Sequence, residues 1–218
     1  MKETSYLNSV RASYDAVAVD YARLLGTTLV ERPLDRAMLA AFAECVRGGE
    51  GGAARVVADL GCGPGRVTAH LDGLGVRAFG VDLSPAMVAV ARKTYPGLRF
   101  EVGSMAALDV ADAVLGGVLV WYSTVHTPPG ELRPLFEEFA RVLAPGGHLL
   151  IAFKVGDERV RLEHAYGHPV DLDVYWTPPE LIAELLSGAG LVEVARLVRQ
   201  PAGQEKSPQG FLLARKTP

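Results

Sequence analysis

Val56-Val57-Ala58-Asp59-Leu60-Gly61-Cys62-Gly63-Pro64-Gly65 decides the fold of this chain: an apolar run that ends in an acid and opens into glycines at every second position. Val56 to Leu60 is short, β-branched and apolar on both faces, as a buried parallel strand requires, and a Gly/Pro break ends it. Gly61, Gly63 and Gly65 let the backbone turn sharply and bring its N–H groups against a ligand, where a side chain would collide. A dinucleotide cradle of the form G-x-G-x-x-G would place its third glycine at position 66, which is Arg66. The spacing argues against a pyrophosphate, and Asp59 sets a carboxylate where it would repel a phosphate but attract an ammonium group. Val76 to Val81 reads as a second strand. It delivers Asp82 about 20 residues past the glycines, where doubly wound sheets place the acid that takes ribose hydroxyls. Two acids and a bare loop suit a ligand with a ribose and a free amino group.

Three stretches in order, Asp59-Leu60-Gly61-Cys62-Gly63-Pro64-Gly65, Gly80-Val81-Asp82-Leu83-Ser84 and Arg141-Val142-Leu143-Ala144-Pro145-Gly146-Gly147, resemble three motifs of the class I S-adenosylmethionine-dependent methyltransferases. The resemblance implies an α/β fold: a seven-stranded, mostly parallel doubly wound sheet with an antiparallel C-terminal hairpin. It also implies S-adenosylmethionine as cofactor, with S-adenosylhomocysteine as product. The glycine loop with Asp59 and Cys62, the ribose acid Asp82, and Leu83 and Met87 beside the base become the expected cofactor contacts. Ser104 follows Gly103 where the family commonly has an acid for the adenine amino group, and a hydroxyl accepts more weakly. Met105 and Tyr122 complete that side.

Composition bounds the rest. A chain of 218 residues is expected to form one domain, with residues 1–50 as an N-terminal helical segment and 154–176 as a small cap insertion. A net charge of −3 with no Lys/Arg block supplies no basic field for nucleic acid or an anionic membrane. No apolar run approaches the roughly 20 residues of a membrane span. The two cysteines, Cys45 and Cys62, make no disulfide framework, and the N-terminus shows no basic-then-apolar leader, so a cytoplasmic location is expected.

Along the chain, Tyr6, Val10, Tyr14, Val17, Tyr21 and Leu24 recur every three or four residues and predict a helix over 5–25. In the resembled family this segment often lies across the mouth of the cofactor pocket, which makes Tyr14 and Tyr21 candidates for touching cofactor or substrate. Pro33 opens a second helix that stops at Gly48-Gly49. Further helices are expected at 66–74, after Ser84-Pro85, at 131–143, and after Thr177 as a capping residue with Glu180 three positions on. Strands are expected at 98–102, 116–121 and 148–153. Strands at 191–198 and 210–216 have too short a connection for a crossover and must pair antiparallel. In the cap, Val170, Leu172 and Val174 alternate with Asp171, Asp173 and Tyr175 as in one half-exposed strand. A Gly-His-Pro break separates His164 from a shared helical face with His168, so no metal is expected.

The family implies in-line transfer of a sulfonium methyl to an oxygen, nitrogen or carbon of a small organic acceptor. A hydroxyl acceptor needs its proton removed. His126, directly after the fourth strand, is the first candidate base, with Tyr14, His168 and His164 competing. Asn-Pro-Pro-Tyr, the signature of amide and adenine nitrogen methylation, is missing after the fourth strand. Two readings stand beside the methyltransferase: an NAD-type oxidoreductase, disfavoured by Arg66 and the terminal hairpin, and a cofactor-binding regulator without catalysis.

Overall fold

The computed structural model describes residues 5–25, 32–48 and 56–217. Gly49 of the expected helix stop and the first four residues of the N-terminal segment lie outside them. Seven strands form one sheet in the order β3-β2-β1-β4-β5-β9-β8. They are β1 (Val57–Leu60), β2 (Ala78–Asp82), β3 (Arg99–Val102), β4 (Leu115–Trp121), β5 (Leu143–Lys154), β8 (Leu191–Arg199) and β9 (Gln209–Lys216). β1 lies between β2 and β4, and all four of its residues are buried, which is why neither face carries an exposed polar side chain. The first five strands run parallel, whereas β9 is antiparallel to both β5 and β8. The doubly wound sheet and its terminal hairpin are therefore as expected.

Helices cover both faces. On one side α5 (Leu132–Val142) and α6 (Pro179–Gly188) bury Phe136, Phe139, Ile182 and Leu186 against the sheet. On the other, α2 (Pro33–Gly48) and α3 (Arg66–Gly73) bury Leu39, Phe42, Val67 and Leu71. α4 (Pro85–Thr94) starts as its sequence predicts, with Pro85 in the first turn and the Ser84 hydroxyl accepting from the Met87 N–H at 3.1 Å. α1 (Ser5–Leu25) lies over α4 and is fastened there by Asp15. The Asp15 carboxylate accepts from the Ser84 hydroxyl at 2.5 Å and from the Ala86 N–H at 3.1 Å.

Three local expectations are corrected. The cap contains two strands: β6 (Arg159–Ala165) and β7 (His168–Tyr175) form a separate hairpin. Its turn, Tyr166-Gly167, has φ of 54° and 85°, the doubly positive pair that a two-residue hairpin loop matched to strand twist needs. The missed signal was Val160 and Leu162 alternating with Arg159 and Arg161. Second, α6 has no capping Thr177; its N-cap is Pro178 with no side-chain bond. Thr177 precedes a proline, which disfavours a helical backbone there, and its N–H instead donates to the Lys154 carbonyl at 2.8 Å. Third, β5 begins at Leu143, paired with Leu115, and regains its register at His148 after the Pro-Gly-Gly break. Among the described residues no helix is long and apolar enough to cross a membrane.

Candidate functional site

The strand order reverses between β1 and β4, and the crevice outside their carboxyl ends is where open α/β sheets take ligands. A cavity of about 100 Å³ occupies it. Gly61, Gly63 and Asp82 form its floor, Leu83, Met87, Ser104 and Met105 one side, and Tyr6, Leu7 and Val10 of α1 the roof. Both Asp82 oxygens are engaged by backbone: Oδ2 accepts from the Gly63 N–H at 2.7 Å and Oδ1 from the Ser84 N–H at 2.8 Å. Burial raises the Asp82 carboxyl above its ordinary range, against the pull of those two N–H groups.

The glycine loop is built differently from its first reading. Gly61, Gly63 and Gly65 have φ of 71°, 53° and 82°, so all three occupy the left-handed region. A Cβ on Gly61 would lie 2.3 Å from the Ser123 Cβ, and one on Gly65 2.6 Å from the Phe100 ring. A Cβ on Gly63 would meet nothing nearer than the Tyr21 ring at 3.9 Å. Packing against the protein thus requires two of these glycines, and only Gly63 keeps the crevice itself clear. Gly61→Ala is expected to lower unfolding stability by roughly 3 kcal/mol, combining left-handed strain with overpacking. Gly63→Ala should show only the strain, about 1–2 kcal/mol. Equal losses for the two variants in urea melts would remove the packing explanation.

Cys62 turns its side chain away from the crevice. Its side chain belongs to a buried cluster with Val88, Ala91 and Phe100 and lines neither cavity described here. Burial, then the Asp59 and Asp82 charges, push its thiol well up, so it is an inert packing residue. Asp59 lies beneath the loop at 1% exposure. Its Oδ2 accepts from the Thr68 hydroxyl at 2.6 Å, while its Oδ1 is buried with no partner among the described residues. Burial pushes this carboxyl up to about 6.

Tyr14, Tyr21, Tyr122 and His126 form a wall between this cavity and a second one of about 260 Å³. Tyr122, at the end of β4, has a φ of 57°, a strained value for a residue other than glycine that turns its ring to line both spaces. His126 follows in a short 3-10 turn, Thr124–His126, and is 8% exposed. Its Nδ1 lies 2.6 Å from the Asp173 backbone carbonyl and its Nε2 2.8 Å from the Tyr14 hydroxyl. A carbonyl only accepts, so Nδ1 carries the proton and the Nε2 lone pair accepts from Tyr14. Burial lowers the His126 pKa, which favours the neutral ring. Burial likewise drives the Tyr14 phenol well above its ordinary value, so it holds its proton.

The other two candidate histidines sit elsewhere. His168 lines neither cavity; its Nε2 lies 2.8 Å from Asp20 and ties β7 to α1. His164 is exposed on β6. The far side of the second cavity is polar and went unseen in the sequence, because its residues come from Arg32, Asp35, Lys154, Glu205 and Gln209, scattered over the chain. Arg199 bonds Asp35 at 2.7 Å and Glu205 at 2.6 Å, and Arg32 also pairs with Glu205. Among the described residues no group of three or more His, Cys, Asp or Glu side chains could hold a metal ion.

Residues 57–147 match the family described as a methyltransferase domain. Over 121 residues the chain is 33% identical to an uncharacterized methyltransferase of Mycobacterium tuberculosis, covering 56% of this chain and 49% of that protein. It is 34% identical over 113 residues to a trans-aconitate 2-methyltransferase of Delftia acidovorans, covering 51% of this chain and 41% of the relative. The chain thus spans about half or less of the length of these curated relatives. Among solved structures it is similar to the 1,6-didemethyltoxoflavin-N1-methyltransferase of Burkholderia thailandensis, which holds S-adenosylhomocysteine and 1,6-didemethyltoxoflavin. The TM-score is 0.72 at 24% identity, covering 98% of this chain and 89% of that one, a likeness of fold.

Proposed function

We propose that this chain is a class I S-adenosylmethionine-dependent methyltransferase that transfers a methyl group from S-adenosylmethionine in the first cavity to a hydroxyl of a small organic acceptor in the second. The observation that carries the reading is the shared wall, where a phenol and a neutral imidazole stand hydrogen-bonded between the two spaces. Both cavities lie beneath α1, and the second also beneath the β6–β7 hairpin, which favours a small acceptor over a polymer.

The first cavity fits the cofactor on two counts. Gly63 leaves room for close backbone approach, and the buried Asp59 Oδ1 lacks a partner among the described residues, a negative centre beneath a site for a cationic ligand. Asp82 would take the ribose hydroxyls, Leu83 and Met87 the faces of the adenine, and Ser104 its amino group. Bound there, S-adenosylmethionine supplies a methyl on a good leaving group, so alignment of the reactants contributes much of the rate, on the order of 7–11 kcal/mol.

The chain supplies the proton path. Tyr14 takes the acceptor's hydroxyl proton as its own passes to Nε2 of His126, leaving a tyrosine and an imidazolium whose Nδ1–H stays on the Asp173 carbonyl. Because burial depresses the His126 pKa, the ring remains a competent base below its usual titration near 6.5. The acid limb of kcat is therefore expected below pH 6.5, with activity lost as pH falls through the lowered value.

A thermal-shift series with S-adenosylmethionine, S-adenosylhomocysteine and NAD tests the cofactor. Either of the first two at 100 times its dissociation constant should add about 2.7 kcal/mol of stability, and stabilisation by NAD alone would overturn the reading. Asp59 gives a second readout. A carboxyl that titrates near 6 is half protonated at pH 6 and ionises when a cation arrives. Calorimetry in buffers of different ionisation enthalpy should show release of up to about half a proton on cofactor binding at pH 6, and almost none at pH 7.5. Equal release at both values would exclude Asp59 as the responding group.

A further inference from the structure

Lys154 ends β5, beside the end of β4, so it reaches the same crevice mouth as Tyr122 and His126. It is half-buried in the wall of the second cavity. Among the described residues its ammonium has neither a carboxylate nor a hydrogen-bond partner. The neighbouring acids are already committed. Asp35 accepts from Arg199, and Glu205 accepts from both Arg199 and Arg32. Among the described residues two arginines against two carboxylates leave that lattice balanced, so Lys154 adds a positive charge to a cavity whose other wall is aromatic and aliphatic apart from Arg66 and His126. Buried charge without a partner is costly, and proteins retain it where a ligand supplies the counter-charge.

We infer that Lys154 is the anion-recognition residue of the acceptor site, and that the acceptor is a small organic carboxylate. This inference rests on the methyl-transfer reading only for the word acceptor; the anion site itself stands on the cavity. Lys154 takes the carboxylate by a charge-assisted hydrogen bond, with the Gln209 side of the cavity next to it. The apolar body then lies along Leu162, Leu172 and Val174 of the hairpin, and the reacting hydroxyl points at Tyr14 and His126. Burial first, then the like charges of Arg32 and Lys206, depress the Lys154 pKa, the direction expected of a cation awaiting an anion. The lysine charge in turn helps to lower the His126 pKa, which places the two groups within electrostatic reach across one space.

The test is a binding panel of aromatic and aliphatic hydroxycarboxylates, each paired with its carboxamide, measured by calorimetry without cofactor on wild type, Lys154→Gln and Lys154→Arg. At least one carboxylate should bind wild type about 10–100-fold more tightly than its amide. Lys154→Gln should abolish that preference, and Lys154→Arg, which keeps the charge, should retain most of it. Amides that bind as well as carboxylates, a preference that survives Lys154→Gln, or no carboxylate binding at all would each overturn the proposal. S-adenosylhomocysteine binding, measured separately on the same proteins, distinguishes its failure from failure of the methyltransferase reading.

Discussion

His126→Ala is expected to lower kcat toward a hydroxyl acceptor by about 10²–10⁴-fold, the usual contribution of a positioned base, while S-adenosylhomocysteine affinity stays within a few fold. The size follows from the hydrogen-bond geometry. Nε2 is the only basic lone pair of a ring fixed by the Asp173 carbonyl at 2.6 Å, and Tyr14 is the group that reaches it. Tyr14→Phe should therefore lose a comparable factor, and the double variant little more than either single one, because two residues in one relay act as a unit. Wild-type turnover in His126→Ala would remove the relay. Multiplicative losses in the double variant would mean that the two side chains work separately.

Asp82→Ala carries the second large effect. Two charge-assisted hydrogen bonds to ribose hydroxyls, at roughly 1.5–3 kcal/mol each, correspond to a rise in the cofactor dissociation constant of at least about 100-fold. The native carboxylate also gathers the Gly63 and Ser84 N–H groups, so its removal loosens the loop in which Gly63 stands. Stability should change little, since the variant leaves two N–H groups wanting but also removes a buried carboxylate whose ionisation burial opposes. Calorimetry with S-adenosylhomocysteine reads the affinity, and circular dichroism checks the fold. Unchanged affinity in a folded variant would end the ribose assignment.

Most strands, most helices and the crevice proposed for the cofactor were legible because their signals are local. An all-apolar run such as Val57–Leu60 can only be a strand covered on both faces, and Ser84-Pro85 states a helix start within two residues. The acids Asp59 and Asp82 sit at strand ends, which in this topology converge on one edge of the sheet. At β6 the alternation was short and was missed, and where a proline took the place of a capping threonine, as at Pro178, the local signal misled.

What the sequence alone determined, then, is the layering of the fold and the crevice proposed for the cofactor, since both follow from hydrophobic period and from residues at element ends. Only the tertiary structure set the histidines apart in space: the tautomer of His126 depends on a carbonyl 47 residues away, and its other hydrogen-bond partner is a tyrosine 112 residues away. His168 was drawn off to Asp20 on α1. Tertiary packing also separated Gly63, open to the crevice, from Gly61 and Gly65, closed by Ser123 and Phe100, and brought Lys154 into the wall of the second cavity. Hydrogen-bond partners, desolvation and charge balance are properties of neighbours in space, and no spacing along a chain encodes them directly.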